Sequence, residues 1–278
     1  MVGRNLGRGG TVLHSRPRSR SADPLPAGVD STLDGVMAAV GTPERLVYSA
    51  AMEVGEQLVR KRPAAMRWAL ALWAVVVAVF VVIAIPELRA LVQPVDDRFR
   101  DLAVETEWQP AVMMAKALRI VGSGWVMVPF EIAVGVWLFT RQRSKTLAFW
   151  VAAIVTTDVV VWMSKALYDR PRPPDALVST TGAAFPSAHT ATAAVVAIAL
   201  VLVLVPTSER RWYWYAAAVG WATLMAASRV YLRAHWLTDV IAGAAAGAAV
   251  ALTFALLIER WGSRRMDAES DRLKPAEE

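Results

Sequence analysis

The chain carries six long apolar segments, and polar stretches separate them. They span residues 68–86, 121–140, 146–164, 187–206, 212–228 and 240–258. The first contains residues 69–85, a run without any charged side chain. Because about 20 apolar residues in a helix cross a bilayer core of about 30 Å, the pattern predicts an all-α protein. Its expected architecture is a bundle of six transmembrane helices joined by short loops.

The segments outside this bundle differ from it in composition. Residues 1–41 are rich in Gly, Arg, Ser and Pro without an apolar period, which predicts a flexible, disordered basic tail. Thr42, Pro43 and Glu44 form a helix-start signal, and apolar residues then recur at helical spacing. We therefore expect an amphipathic helix over residues 42–66, in solution or on the cytoplasmic membrane face. The six-span domain is expected over 67–262, and a charged C-terminal tail over 263–278.

The distribution of basic residues predicts the orientation. The basic clusters that fall on one side of a six-span bundle lie at residues 60–67, 141–145, 210–211 and 260–265. Loops rich in Lys and Arg remain cytoplasmic, so both termini are expected in the cytoplasm, with the bacterial plasma membrane as the location. The opposite loop, residues 87–120, also holds basic residues but carries six acids. Within it, Pro110 to Val121 is expected to form a re-entrant, an interfacial or a plain connecting helix.

Composition narrows the chemistry. Hydrophobic residues make up 56% of the chain, and many of the basic residues behind the net charge of +6 flank apolar segments, which argues against a nucleic-acid partner. The chain has no cysteine, which excludes disulfides, thiolate metal sites and cysteine nucleophiles. Its histidines are His14, His189 and His235. Because His14 lies in the Arg-rich tail, histidine chemistry at the membrane depends on the other two.

Ionisable and polar residues concentrate at the non-cytoplasmic ends of spans three to six. They are Lys165, Asp169, Arg170, Arg172, Ser187, His189, Arg229, Arg233, His235 and Asp239. Charge at a bilayer boundary is costly unless it is paired, solvated or used, so four segments contributing to one end indicate a shared site. Lys165, Arg172 and Arg229 would supply three cations, which suit a dianionic phosphate. Arg170 and Arg233 are expected to contact headgroups or to lie in loops, outside the catalytic set.

Two histidines would supply the chemistry of this site. His235 and Asp239 are four residues apart, so on a helix the carboxylate could hold one ring nitrogen protonated and leave the other free to attack. His189 lies at a helix start after Pro186 and Ser187, where free backbone N–H groups favour an oxyanion. His189, His235 and Asp239 could alternatively bind a divalent metal. The three nearby cations disfavour that reading, so no metal and no cofactor are expected.

The spacing of these residues resembles the signature of a known family. Lys165 precedes Arg172-Pro173 by six intervening residues, Pro-Ser-Ala-His occupies residues 186–189, and Ser228-Arg229 is followed by His235 and Asp239. This three-part pattern resembles the type 2 phosphatidic acid phosphatase superfamily, which includes vanadium haloperoxidases and bacterial acid phosphatases. The motifs cover residues 165–239.

The resemblance implies a role for each of these residues. His235 would be the nucleophile that forms a phosphohistidine, oriented by Asp239, and His189 would be the general acid for the leaving group. The phosphate oxygens would be held by Lys165, Arg172, Arg229, Ser187 and the backbone amide of Ala188. The family's second motif usually has Gly where this chain has Ala188. A methyl group leaves the N–H available, so the substitution implies a narrower pocket.

The resemblance, together with the membrane setting, predicts a lipid phosphatase of the cell envelope. Its substrate would be a lipid phosphate or diphosphate, such as undecaprenyl (isoprenoid) diphosphate, phosphatidate or phosphatidylglycerol phosphate, bound at an outward-facing site. Membrane lipids surround it, and no obligate protein partner is expected. The alternatives are a lipid phosphotransferase using the same site, a haloperoxidase, which would need vanadate, and a non-catalytic membrane protein of the same fold. Glu131 and Asp158 are expected to face the bundle interior.

Overall fold

The computed structural model describes residue 59, residues 62–208 and residues 210–272, with side chains as far as residue 261. This part of the chain is all-α, with eight helices and no strand. The helices are α1 (Arg62–Ala84), α2 (Pro86–Glu105), α3 (Gln109–Val121), α4 (Gly124–Thr140), α5 (Ser144–Tyr168), α6 (Ala188–Leu204), α7 (Arg211–Tyr231) and α8 (Leu237–Arg272). The predicted tail over residues 1–41, and nearly all of the predicted helix over 42–66, lie outside the described residues.

Each of the six apolar segments coincides with a helix, and the differences are at the ends. Helix α1 begins at Arg62, inside the segment predicted as a separate surface helix. Helix α8 continues to Arg272, through most of the predicted charged tail over residues 263–278. Residues 263–272 contain Arg, Met, Ala and Glu, which favour helix, so loss of the apolar pattern does not end the helix.

The connection over residues 87–120 forms two helices, of which the sequence predicted only the one at residues 110–121. Helix α2 starts with Pro86 in its first turn and Glu87 beside it, a favourable helix start, but Pro94 and the eight charged residues of the helix hide its apolar period. Helix α3 confirms that residues 110–121 are helical. It meets α4 at a bend of 46° around Gly122, so the two form either one broken span or a re-entrant pair.

Among the described helices, three are long and apolar enough to cross a membrane: α1, α5 and the Leu237–Trp261 part of α8. The bent pair of α3 and α4 makes a fourth candidate if it is counted as one span. Helix α6 is apolar but only 17 residues long, and α7 carries Arg211 and Arg229 near its ends. The described part of the chain is therefore that of an integral membrane protein with three or four clear spanning elements.

Helix α8 is the centre of the packing, since α1, α5, α6 and α7 all contact it. Its contact with α6 uses very small residues, with Ala191 and Gly247 facing each other. A side chain at Gly243 would place its Cβ 2.5 Å from the carbonyl oxygen of Ser187, and one at Gly247 would clash with the carbonyl oxygen of Ala191. Glycine at these positions lets two helix backbones touch, as is common between membrane helices. This contact fixes the start of α6 against α8.

Replacement of Gly247 by Ala should separate α6 from α8. The new Cβ meets backbone, which cannot rotate away, so we expect a loss of about 1–3 kcal/mol of stability. Thermal unfolding in detergent measures this change. Gly220→Ala in α7 is the matched control, because no atom lies within 4 Å of a Cβ there. Equal unfolding temperatures for the two variants would contradict the close contact between α6 and α8.

Candidate active site

The helix order brings the predicted site residues to one end of the bundle. Helices α5 and α7 end where α6 and α8 begin, so Lys165, His189, Arg229 and Asp239 all lie near the same ends of antiparallel neighbours. Helices α2 and α3 also pack here, α2 against α7 and α8, and α3 against α7. The site is therefore built from four helix ends and supported by two further helices.

His235 lies between an arginine and a carboxylate. Its Nε2 is 3.2 Å from Nη1 of Arg172, and its Nδ1 is 3.5 Å from Oδ2 of Asp239. A guanidinium can only donate hydrogen bonds, so Nε2 must be the acceptor and the ring proton belongs on Nδ1, toward Asp239. The distance of 3.5 Å is too long for a good hydrogen bond, and Nδ1 has no hydrogen-bond partner within the described chain. Asp239 therefore acts on the ring through its charge.

Asp239 is itself fixed by two strong contacts. Its Oδ2 accepts the backbone N–H of Trp236 at 2.9 Å, and its Oδ1 accepts Nη1 of Arg170 at 2.6 Å. The side chain is fully buried. A carboxylate held at both oxygens keeps one orientation, so its distance to His235 is set by the fold rather than by a mobile rotamer.

Two predicted phosphate-binding cations donate to the carbonyl groups of one loop, residues 181–183. Nζ of Lys165 donates to the carbonyl of Ala183 at 2.6 Å. Arg172 donates to the carbonyls of Gly182 at 3.0 Å and Thr181 at 3.1 Å. Carbonyl groups orient these cations but do not neutralise them, so the positive charge remains available to an anion beside His235.

Arg229 and His189 form the other wall of the site. Arg229 is buried and donates from Nη2 to the carbonyl of Ala115 at 3.0 Å, which ties α7 to α3. It lies near enough to His189 for their charges to interact, as does His235. Nε2 of His189 is buried and has no hydrogen-bond partner among the described residues. A Cβ on Gly122 would lie 3.1 Å from Cδ2 of His189, so the bend between α3 and α4 borders this imidazole.

Ser187 joins the start of α6 to the start of α8. It precedes the first residue of α6, and its N–H donates to the backbone carbonyl of Asp239 at 3.0 Å. Its Oγ accepts the hydroxyl of Thr190 at 3.1 Å. Ala188 begins the helix, so its N–H has no carbonyl one turn earlier to bond and remains available to an anion. The predicted second motif thus lies at a helix N-terminus next to His235 and Asp239.

Arg170 and Arg233 lie in the loops after α5 and α7, one of the two alternatives expected, but both are buried inside the protein. Arg170 is 2% exposed and bonds Asp239. Arg233 is 6% exposed, and donates to the carbonyl of Asp175 at 2.9 Å and to Glu107 at 2.9 Å. They hold the segments around the site together instead of contacting lipid headgroups.

Sequence reasoning missed Asp96, which is buried at 1% exposure in α2 and pairs with Arg170 at 2.7 Å. The available signal was an acid in a segment next to a membrane span, where an ionisable residue needs a partner. The expectation for Asp158 was also wrong: it lies on the exposed side of α5 instead of in the bundle interior. Glu131 is partly exposed.

The electrostatics favour a neutral, nucleophilic His235. Burial lowers the pKa of His235 below its usual range, although the neighbouring Asp239 opposes that shift; Arg172 and Lys165 lower it further. Burial also lowers the pKa of Arg172, which remains a cation at neutral pH. Within residues 62–208 and 210–261, no three His, Asp or Glu side chains are grouped so that they could hold a metal ion. An unprotonated imidazole nitrogen beside two cations is an arrangement that can attack a bound phosphate.

Comparison with known proteins supports the resemblance. Residues 145–263 match the PAP2 superfamily, and this range holds every predicted site residue. This region of the chain is therefore PAP2-like. The resemblance read from the three motifs is thereby confirmed, while the PAP2 match leaves α1 to α4 outside it.

Two solved structures are similar to this chain. One is the first transmembrane PAP2 type phosphatidylglycerolphosphate phosphatase from Bacillus subtilis, 23% identical, with 70% of this chain and 96% of that chain covered and a TM-score of 0.59. The other is LpxE of Aquifex aeolicus, 24% identical, with 57% and 92% covered and a TM-score of 0.47. No curated protein matches the sequence.

The direction of the His235 pKa shift can be measured directly, because the chain has only three histidines. We expect His235 to titrate below about 6.5, the ordinary histidine value, since burial disfavours its charged form. Nuclear magnetic resonance of ¹³C-histidine-labelled protein in detergent gives the titration midpoint. His235→Ala assigns the resonance, and His14 provides an internal reference. A midpoint above 6.5 would contradict the electrostatic environment described above.

Proposed function

We propose that this protein is a membrane-embedded, metal-independent phosphatase that hydrolyses a lipid phosphate or diphosphate through a phosphohistidine. The observation that supports this most directly is the position of His235. Its Nε2 is 3.2 Å from the Arg172 guanidinium, while Asp239 faces its other nitrogen. A nucleophile already beside a cation is positioned to attack the phosphorus of a phosphate that the cation binds.

In the first step, Nε2 of His235 attacks phosphorus and the bond from phosphorus to the lipid oxygen breaks. The ring then carries positive charge, which the carboxylate of Asp239 stabilises through Nδ1–H. Protonated His189 gives its proton to the departing oxygen, which leaves as an alcohol, or as a phosphate when the substrate is a diphosphate. Lys165, Arg172 and Arg229 stabilise the charge on the transferring phosphoryl oxygens.

In the second step, water attacks the phosphohistidine. Neutral His189 accepts a proton from this water, the bond between phosphorus and Nε2 breaks, and inorganic phosphate leaves. His235 is again neutral and His189 again protonated, so protons and charge balance over the cycle. Ser187 and the N–H of Ala188, at the start of α6, supply further donors to the phosphate oxygens. The cations take the role that a metal has in other phosphatases, because a divalent ion beside them would be repelled.

The lipid character of the substrate rests on where the site lies. It is formed at the ends of membrane helices, where a headgroup phosphate would be at the same depth. The fold similarity adds phosphatidylglycerol phosphate as a concrete candidate, beside phosphatidate and undecaprenyl (isoprenoid) diphosphate. We infer an outward-facing site, with both termini in the cytoplasm of a bacterium, because the basic clusters lie at the opposite ends of the helices.

Purified protein tests the reaction. His235→Ala should lower phosphate release from a lipid phosphate by about 10⁴-fold or more. His189→Ala should lower it by about 10²- to 10⁴-fold, because it removes proton transfer but leaves the nucleophile. Trapping labelled phosphate on the enzyme, acid-labile and absent in His235→Ala, would show the intermediate. His14→Ala is the matched control for loss of a histidine and should keep full activity.

Three results would contradict parts of this proposal. Unchanged activity in His235→Ala would contradict the assignment of His235 as the nucleophile. Loss of activity with a chelator, restored by a divalent ion, would contradict metal independence. The lipid phosphates to test are phosphatidylglycerol phosphate, phosphatidate and undecaprenyl diphosphate. Cleavage of soluble phosphoesters but of none of these would contradict the assignment of a lipid substrate. Adding acceptor lipids to the same assay distinguishes hydrolysis from phosphotransfer, since transfer would place the label on the acceptor.

The six-span topology and the orientation are part of the proposal. Helix α6, with 17 residues, spans about 26 Å, slightly less than the bilayer core, so it needs local thinning or flanking residues to cross. Helix α7 would cross with Arg211 and Arg229 at its two ends. The loop between α4 and α5 would then be cytoplasmic, and the loop between α5 and α6 would lie outside.

Single introduced cysteines test this topology cleanly, because the chain has none of its own. Thr181→Cys should react with a membrane-impermeant maleimide in intact cells, whereas Arg141→Cys should react only after permeabilisation. Both residues are exposed, so access of the reagent is comparable. The reverse pattern would invert the orientation, and reaction of both in intact cells would contradict the placement of α5 as a span.

A further inference from the structure

A buried network of charges lies directly behind Asp239, and no part of the mechanism above uses it. Arg170 donates from Nη1 to Asp239 at 2.6 Å and from Nη2 to Asp96 at 2.7 Å. Asp96, Arg170 and Asp239 are exposed by 1%, 2% and 0%. One arginine thus joins two carboxylates, of which one belongs to the candidate active site and the other to α2, outside the PAP2 match.

Asp96 also holds the first turn of α8. Its Oδ1 accepts the N–H of Thr238 at 2.9 Å, and its Oδ2 accepts the Thr238 hydroxyl at 2.7 Å. Free N–H groups at a helix start need acceptors, and a carboxylate there is favourable. Asp239 is the next residue on this turn. Asp96 therefore contacts both the arginine that binds Asp239 and the backbone that carries it.

The charges of the network oppose one another. If Asp239 were its only partner, Arg170 would partly neutralise the charge of Asp239, which it contacts at 2.6 Å. Asp239 would then stabilise a protonated His235 ring less well. Asp96 supplies a second negative charge to the same arginine, so Arg170 is shared between two carboxylates. Arg170 also lies over the ring of Trp236, 5.6 Å from its centre, which limits other positions for it. Removing one carboxylate would leave the arginine bound to the other alone.

We propose that Asp96 is a positioning residue for the reaction, acting through Arg170 and Thr238 to hold Asp239 against His235 and to preserve its negative charge. This inference rests on the proposed function, since it assigns Asp96 a role in activating the proposed nucleophile. Asp96 need not touch substrate. It is an acid from a helix outside the family's motifs that completes the support of the candidate catalytic carboxylate.

The proposal predicts opposite effects on His235 from two variants. In Asp96→Asn, the full charge of Arg170 falls on Asp239, the protonated ring is less stabilised, and His235 should titrate at lower pH, by about half a unit or more. In the double variant Asp96→Asn with Arg170→Gln, Asp239 loses its cation and His235 should titrate higher than in the native protein. The other charges facing His235, from Arg172 and Lys165, are the same in both variants.

The experiment compares these variants in purified, full-length protein. The histidine resonance gives the His235 midpoint, and lipid-phosphate hydrolysis gives kcat and KM. Asp96→Asn should lower kcat about ten- to a hundredfold, with KM little changed, because the nucleophile is misplaced while the phosphate-binding cations are not. Asp101→Asn, the same change on the same helix at a half-exposed surface pair with Arg100, is the matched control and should change neither quantity.

The outcomes separate the two proposals. Activity in His235→Ala would overturn the proposed function whatever Asp96 does. If His235→Ala is inactive but both Asp96 variants keep the native midpoint and kcat, the positioning role is wrong. A fall in kcat without opposite shifts of the midpoint would also overturn it, leaving Asp96 a structural residue. Failure of both variants to give folded protein, judged by thermal unfolding, would assign the network to folding alone and equally overturn the proposal.

Discussion

The ion pair between Arg170 and Asp239 is the contact on which the geometry of the site depends. Both groups are almost completely buried, so neither has water to replace a missing partner. Breaking a buried pair by removing one member leaves an uncompensated charge, which costs about 3–5 kcal/mol. The pair joins the segment after α5 to the start of α8. Because the start of α8 also bonds Ser187, the start of α6 is aligned with the same pair.

Helix contacts deeper in the bundle reinforce this alignment. Gly243 and Gly247 let the backbones of α6 and α8 touch just below the site, so the two helix starts cannot slide independently. A separate set of contacts, made by Arg233, ties the loop after α7 to Asp175 and Glu107. The candidate site is thus held by charges at the helix ends and by close packing beneath them. A rigid frame of this kind holds the candidate nucleophile and the candidate phosphate-binding cations in place before substrate binds.

Features that depend on the spacing of nearby residues could be predicted from the sequence. Contacts between residues far apart in the chain could not. Six apolar runs predicted six helices, and the three motifs over residues 165–239 indicated the resemblance to a family, because each of these patterns is read from residues close together in the sequence. Asp96 escaped notice, since its partner is 74 residues away and no local pattern reports such a pairing. Helix α2 was missed because Pro94 and its charges mask its period. Arg170 was expected at headgroups or in a loop, and its burial escaped notice because its partner Asp96 is distant in the sequence.

The residues that carry the motifs and some of the residues that bond them lie in different parts of the chain. The PAP2 match starts at residue 145, yet the segment it covers contains Arg170, whose charge is balanced by Asp239 within the match and by Asp96 outside it. Arg229 likewise finds a backbone acceptor in α3, outside the match. Buried cations need acceptors wherever the chain can supply them. The helices that precede the motifs therefore contribute to the site's electrostatics as well as to membrane anchoring, since the two arginines would otherwise lose part of their compensation.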